Sequence, residues 1–276
     1  MRPLDPIPHA DTCPLGPASA PLRDAQPPTR GGFERPQGAG LVLSATSHKE
    51  RVVIDAVASR LRRMKRSVIG TAHAIQDVLQ GRGVRYRAAM VTLTYAPGEV
   101  WEPRDVSRLT NHYRSWARSR GIMIHGVWVL ETTKAGTPHY HLLLFIPRGY
   151  SPPLPDKQGW WSKGMTNAKW ARKAVGYLAK YASKGASGLP SGARVHGYIG
   201  IGKAMGILRS WFVAPAWLRE FSTYGDHLRR VDGWWRNCAT GIEYRSPWVL
   251  DSFRAEGPEL RWVGWSVDDV RFVGDA

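Results

Sequence analysis

The stretch Pro138-His139-Tyr140-His141-Leu142-Leu143-Leu144 reads as a β-strand with two histidines on one side. Side chains alternate across a strand, so His139 and His141 share a face while Tyr140 takes the other. Just ahead, Thr132 to Pro138 contains Gly136 and reads as a turn, preceded by a strand from Ile122 to Glu131. Closed as a hairpin, the two strands set Glu131 opposite His139 and diagonal to His141, with cross-strand neighbours roughly 5 to 8 Å apart. One carboxylate and two imidazoles converging on a point make a divalent-metal site with positions open for substrate oxygens. The bland alternatives are a polar strand face for the histidines and an exposed, Lys134-paired carboxylate for Glu131. His125 falls on the same face, but six residues from Glu131 is roughly 20 Å along a strand, which removes it from the ligand set.

Outward from this hairpin, strands and helices are interspersed. Residues 1–43 are rich in Pro, Gly and Ala without sustained periodicity and read as a disordered arm. Ser47-His48-Lys49-Glu50 has capping-box spacing, and Val53, Val57, Leu61, Met64 and Val68 follow at helical spacing. The opposite face of that helix carries Arg60, Arg62, Arg63, Lys65 and Arg66, a solvated stripe that also suits phosphates. Gly81 and Gly83 end the helical region, and Val84 to Tyr95 reads as a strand. A helix over 105–119 presents Val106, Leu109, Tyr113 and Trp116 on one face. After a loop at Ser151–Pro155, a second basic helix is expected over 167–184, ending at Gly185. A further helix at 204–222 and short Trp-rich strands to 273 complete the chain. The expected class is α+β, with helices flanking a central antiparallel sheet. The expected division is an arm over 1–43, a main domain over 44–222 and a Trp-rich extension over 223–276 packed on it.

Tyr177 and Tyr181 on the 167–184 helix are one turn apart, so they share a face. Trp170, Ala174, Tyr177 and Tyr181 form one stripe, while Ala171, Val175, Leu178 and Ala182 form an apolar one suited to packing on the sheet. An aromatic stripe is ordinarily core, but Lys180 and Lys184 argue against full burial. A phenol is a poor nucleophile at neutral pH. A metal on the attacked phosphate and a nearby lysine both stabilise the charge that builds during attack. The products are a 5′-phosphotyrosine and a free 3′-hydroxyl, and a second tyrosine allows a second cut while the first remains occupied.

The 276 residues carry 39 Lys and Arg against 22 Asp and Glu, a formal net charge of +17. Such a chain expects a polyanion, nucleic acid first. The 13 Trp, 10 Tyr and 6 Phe supply core volume, most of it expected inside, and stacking platforms for unpaired bases. Cys13 and Cys238 alone support neither a disulfide framework nor a cysteine metal cluster. With no long apolar run and no signal-peptide pattern at Met1-Arg2-Pro3, a reducing cytoplasm is expected.

Three short motifs in this order resemble the HUH endonucleases, specifically rolling-circle replication initiators of single-stranded DNA phages and plasmids in their two-tyrosine form. Val91-Thr92-Leu93-Thr94-Tyr95 is similar to the family's first strand motif. Glu131 with Pro138-His139-Tyr140-His141-Leu142 resembles the metal motif, and Tyr177 to Lys184 the nucleophile motif, with Lys180 at its lysine. The resemblance covers residues 84–200. It implies a sheet of about five strands, Mg²⁺ or Mn²⁺ dependence, a single-stranded or hairpin DNA origin as substrate, and a host helicase and polymerase in a bacterial cytoplasm. Which tyrosine attacks first stays open.

Gly197-Tyr198-Ile199-Gly200-Ile201-Gly202-Lys203-Ala204 nearly matches a P-loop but lacks the final Ser or Thr hydroxyl. Too little chain follows for an ATPase core, so a Gly-rich turn is expected instead. Lys203, Arg194 and His196 there, with Lys184, Arg60, Arg63 and Arg66, are the candidate DNA contacts. A two-tyrosine transposase and a non-catalytic single-stranded DNA-binding protein are the competing readings.

Overall fold

The computed structural model describes residues 51–133, 136–182 and 193–273, with Tyr177, Tyr181 and Ala182 described by backbone alone. In chain order the elements are β1 (Arg51–Val53), α1 (Ala56–Gly81), β2 (Tyr86–Thr94), α2 (Asp105–Ser119), β3 (His125–Thr132), β4 (Pro138–Pro147), β5 (Thr166–Trp170), α3 (Ala174–Ala182) and β6 (His196–Ile199). There follow α4 (Lys203–Val213), α5 (Ala216–Glu220), β7 (Leu228–Val231), β8 (Trp234–Asn237), β9 (Ile242–Tyr244), β10 (Trp248–Arg254), β11 (Gly257–Trp262) and β12 (Val270–Phe272).

The central sheet has five strands in the order β5-β2-β4-β3-β6, every pair antiparallel. Its alternation builds two cores. Val91, Leu93, Leu142, Leu144 and Ile146 point to the side covered by Val106, Leu109 and Tyr113 of α2. Met90, Val127, Val129, Leu143 and Phe145 point to the side covered by Met64, Val68 and Ile75 of α1 and by Ala174 and Leu178 of α3. A central strand buried on both faces has no polar side to show, which is why Leu142 to Ile146 is an unbroken apolar run. The α+β class, with helices on both faces of an antiparallel sheet, is as expected.

Three boundaries differ from expectation. Residues 51–53 pair with β11 (Val52 opposite Leu260) instead of continuing a helix. α1 starts after Asp55, whose Oδ1 accepts from Ala58 N at 2.9 Å. Val53 and Val57 of the expected stripe are therefore exposed, Leu61 is half-buried, and only Met64 and Val68 reach the core. Residues 166–170 form an edge strand against β2, with Asn167 opposite Thr92, so the tyrosine helix begins at Ala174. Trp170 consequently stands on a strand, over a third exposed, with the Arg87 guanidinium 3.8 Å from its ring centroid. The helix expected at 204–222 breaks at Ala214 and Pro215 into α4 and α5. The arm at 1–43, Ser47–Glu50, Lys134, Lys184 and Gly185 lie outside the described residues.

Close approach fixes two glycines. At Gly70 a Cβ would lie 2.4 Å from Phe212 Cβ, so α1 and α4 touch there. Gly200, at φ +64°, turns the chain out of β6 where a Cβ would meet Ile124 O at 2.2 Å. The P-loop-like stretch is thus a strand, a tight turn and α4.

Beyond α5, β7, β8, β9 and β12 form a four-stranded sheet, and β1, β10 and β11 a three-stranded one. Ala214 and Leu218 share a small core with Leu228 and Tyr244, bordered by Trp211, Trp217 and Trp235. Four of the 13 Trp, at 116, 128, 161 and 234, are fully buried. Most of the others are half-buried in edge-to-face pairs such as Trp248–Trp262 and Trp217–Trp265, a correction to the expectation that most would be core.

Candidate active site

Strand pairing assembles the site. Glu131 on β3 is in register with His139 on β4, and His139 with Thr94 on β2. The adjoining row runs Asn167, Thr92, His141, Val129, His196 across all five strands. Laterally paired residues point to the same side, so both rows lie on the face that α1 and α3 cover. The turn between Thr132 and Pro138 is set by Gly136 at φ +80°.

Glu131 and His141 are both buried, with His141 Nε2 at 2.9 Å from Glu131 Oε1. Thr92 Oγ1 lies 3.3 Å from His141 Nδ1, and Thr94 Oγ1 lies 3.3 Å from His139 Nε2. The two imidazoles stack with centroids 5.1 Å apart. Each ring is thus held by a threonine from β2, and the Thr92 contact leaves His141 Nε2 aimed at the carboxylate. Such outer contacts fix ring tautomer and orientation in metal sites. The donor set, two imidazoles and a carboxylate on one face, suits a divalent ion. Sharing one would require Glu131 and His141 to part, and among the described residues no three His, Cys, Asp or Glu side chains are gathered into a ready cage.

Tyr140, between the histidines, points through the sheet to the α2 side. Its hydroxyl accepts from Trp101 Nε1 at 2.8 Å, and burial pushes its pKa up to about 12. It is therefore held away from the histidine face as a neutral phenol. His125 is also accounted for, since its Nδ1 bonds Gly200 O and burial lowers its pKa.

α3 packs on β2, β3 and β4 and against α1, so the tyrosine helix lies over the face that carries Glu131, His139 and His141. Ala174 and Leu178 are buried beneath it, with Ala171 and Val175 at the border. Ala174 thus belongs to the packed line and not to the tyrosine stripe. Tyr177 and Tyr181 sit at helical positions beside that line, their side chains outside the described residues. Lys180 is exposed on α3.

Basic side chains border the site on two sides. A cavity of about 590 Å³ opens beside Thr92, lined by Asn167, Lys169, Trp170, Arg172 and Lys173. Arg60 and Arg63 line a second cavity with Arg194 and His196, and Arg66 lines a third with Arg62 and Arg219. Burial, then Arg219, Arg62 and Arg63, lower the Arg66 pKa. Lys203 is exposed at the start of α4. Sequence reading missed Thr92 and Thr94 as site residues, although their alternation within Val91–Tyr95 was the signal. It also missed Lys169, Arg172 and Lys173, because the strand bearing Lys169 was read as helix.

One comparison bears on this arrangement. Residues 88–186 match a family model of replication-associated proteins, the ORF2 type. The replication-associated match begins in β2 and runs through α3, so it takes in Thr92, Thr94, Glu131, His139, His141 and both tyrosine positions. It leaves out α1, β6, α4 and the C-terminal sheets. No curated protein and no solved structure matches the chain. No described helix is long and apolar enough to cross a membrane.

Proposed function

We propose that this chain is an HUH-type, two-tyrosine replication initiator that nicks and rejoins one DNA strand by tyrosine attack. The observation that carries the reading is the threonine-held Glu131, His139 and His141 set on the sheet face that α3 covers, within the replication-associated match. Glu131, His139 and His141 would hold Mg²⁺ or Mn²⁺, which when bound polarises a phosphate oxygen. Thr92 and Thr94 orient the two imidazoles. The hydroxyl of Tyr177 or Tyr181 attacks the phosphorus, loses its proton and becomes a 5′-phosphotyrosine, while the leaving oxygen becomes a 3′-hydroxyl that primes synthesis. Lys180, on the same helix, offsets charge on the attacking phenol and phosphate. Lys169, Arg172, Lys173, Arg60 and Arg63 grip the strand on either side. A host helicase and polymerase would complete the reaction, as the chain's motifs supply neither.

The test is an incubation with a 3′-labelled random single-stranded DNA library and Mn²⁺, scored for a denaturant-resistant adduct. Wild type is expected to form one; His139→Ala and His141→Ala are expected to lose it by about a hundredfold or more. One observation favours a non-catalytic single-stranded DNA-binding protein, namely that the Glu131–His141 contact satisfies both groups as a structural pair. Binding of the library without any adduct would establish that second reading.

A further inference from the structure

Arg209 on α4 is fixed by hydroxyls, not by a carboxylate. Its Nε donates to Thr71 Oγ1 at 3.0 Å, and its Nη2 donates to Ser67 Oγ and to Tyr198 OH, each at 2.7 Å. The guanidinium also stacks on the Tyr198 ring at 4.7 Å. Neutral acceptors orient the fork without cancelling its charge, and none of these bonds uses Nη1. The site is a cavity of about 560 Å³ whose lining includes Arg60, Arg63, Arg194, His196 and Arg209 but no Asp or Glu. No ion pair among the described residues involves any of these four arginines. His196 Nδ1 is buried there with no hydrogen-bond partner among the described residues. Burial, then Arg209 and Arg194, push the His196 pKa down to about 4, which reports an uncompensated positive potential.

The cavity's place in the sheet adds a direction. His196 pairs with Val129, and Val129 pairs on its other side with His141. Two strand spacings, roughly 10 Å, therefore separate the cavity from the imidazoles on one sheet face. We propose that this cleft is a phosphodiester-binding subsite, in which the preorganised Arg209 and its neighbours Arg60, Arg63 and Arg194 clamp the DNA backbone beside the nicking site. The inference rests on the nucleic-acid reading above, and not on the tyrosine chemistry. A guanidinium held in a fixed fork matches a phosphate's paired oxygens, and phosphate contacts position a strand without reading its sequence.

The experiment measures binding of the full chain to a fluorescent oligo-deoxythymidine across a salt series, in EDTA so that cutting does not intervene. Arg209→Ala and Arg194→Glu are each expected to weaken binding about tenfold and to reduce the slope of log K against log salt by roughly 0.7 for each phosphate no longer neutralised. Arg209→Ala also removes a bridge between α1, α4 and β6, so the exposed Arg194→Glu, checked by thermal melting, keeps the test independent of folding. Arg209→Lys, with the charge kept and the fork lost, is expected to bind weakly with a nearly unchanged slope. Affinity and slope equal to wild type in both Arg209→Ala and Arg194→Glu overturn the proposal. So does a site for free anions alone, seen as stabilisation of wild type by inorganic phosphate that the variants lose while DNA affinity stays constant. Weakened variants in a protein that forms no covalent adduct would sink the nicking reading and leave the subsite standing.

Discussion

The Thr92 and Thr94 hydroxyls are the smallest features on which the site depends. Each lies 3.3 Å from a ring nitrogen, and removing such an outer partner typically costs roughly 10- to 100-fold in metal affinity. Thr92→Val keeps the strand and its shape, so Mn²⁺ titration followed by electron paramagnetic resonance is expected to show affinity reduced by that range, with the thermal midpoint little changed. Unchanged affinity would mean that the imidazoles need no support from β2. The pairing of Glu131 with His139 was legible because a short turn joins the two strands and fixes their register. The threonines were not, because β2 meets β4 across more than forty intervening residues and nothing local encodes that register. Arg209 was hidden for the same reason, since its hydroxyl partners come from α1 and β6.

Among the elements, α3 decides whether the site can act. Its described grip on the sheet runs through Ala174 and Leu178, the latter fully buried. Leu178→Ala is expected to cost about 2–5 kcal/mol in chemical denaturation, and to depress adduct formation further than the fraction unfolded explains. An adduct yield that follows the folded fraction alone would show that the helix position does not control the chemistry. α1 and α4 meet at Gly70, where Gly70→Ala forces Phe212 aside and is expected to cost about 1–3 kcal/mol despite the better helix propensity of alanine. A gain in stability would contradict that packing. Elements with long apolar periodicity, α2, β3 and β4, were read almost to the residue. The first turns of α1 and α3 were not. Val53 and Val57 keep helical spacing while β1 pairs with a strand about two hundred residues away, and residues 166–170 are captured by the free edge of β2. In both places tertiary pairing overrides the local pattern.

At the scale of the whole molecule, a net charge of +17 sets the substrate class, while titration sets the acid limit of the fold. Burial lowers the His196 pKa from 6.5 to about 4 and lowers that of His125 as well. The unfolded chain then binds more protons than the folded one between those values. The stability these groups confer is present above pH 6.5 and is lost as pH falls toward 4. Thermal midpoints are expected to drop across that window in wild type and to drop less in His196→Gln; equal slopes would assign the acid sensitivity elsewhere. The replication-associated match stops at residue 186, whereas the cleft around Arg209 and the Trp-bordered C-terminal sheets lie mostly outside it. Composition pointed to aromatic bulk there, but the sorting of tryptophans into half-buried pairs depends on which short strands meet, and that is not written in their spacing.

The central claim is that a tyrosine of α3 becomes joined to DNA through chemistry that needs the histidine face. The most direct measurement is mass spectrometry of the protease-digested adduct formed with single-stranded DNA and Mn²⁺. The account predicts a nucleotide-bearing peptide modified at Tyr177 or Tyr181, absent from the Tyr177→Phe/Tyr181→Phe double variant and absent when His139 and His141 are both alanine. A nucleotide linked to any other residue, or an adduct that persists in the double variant, would contradict it.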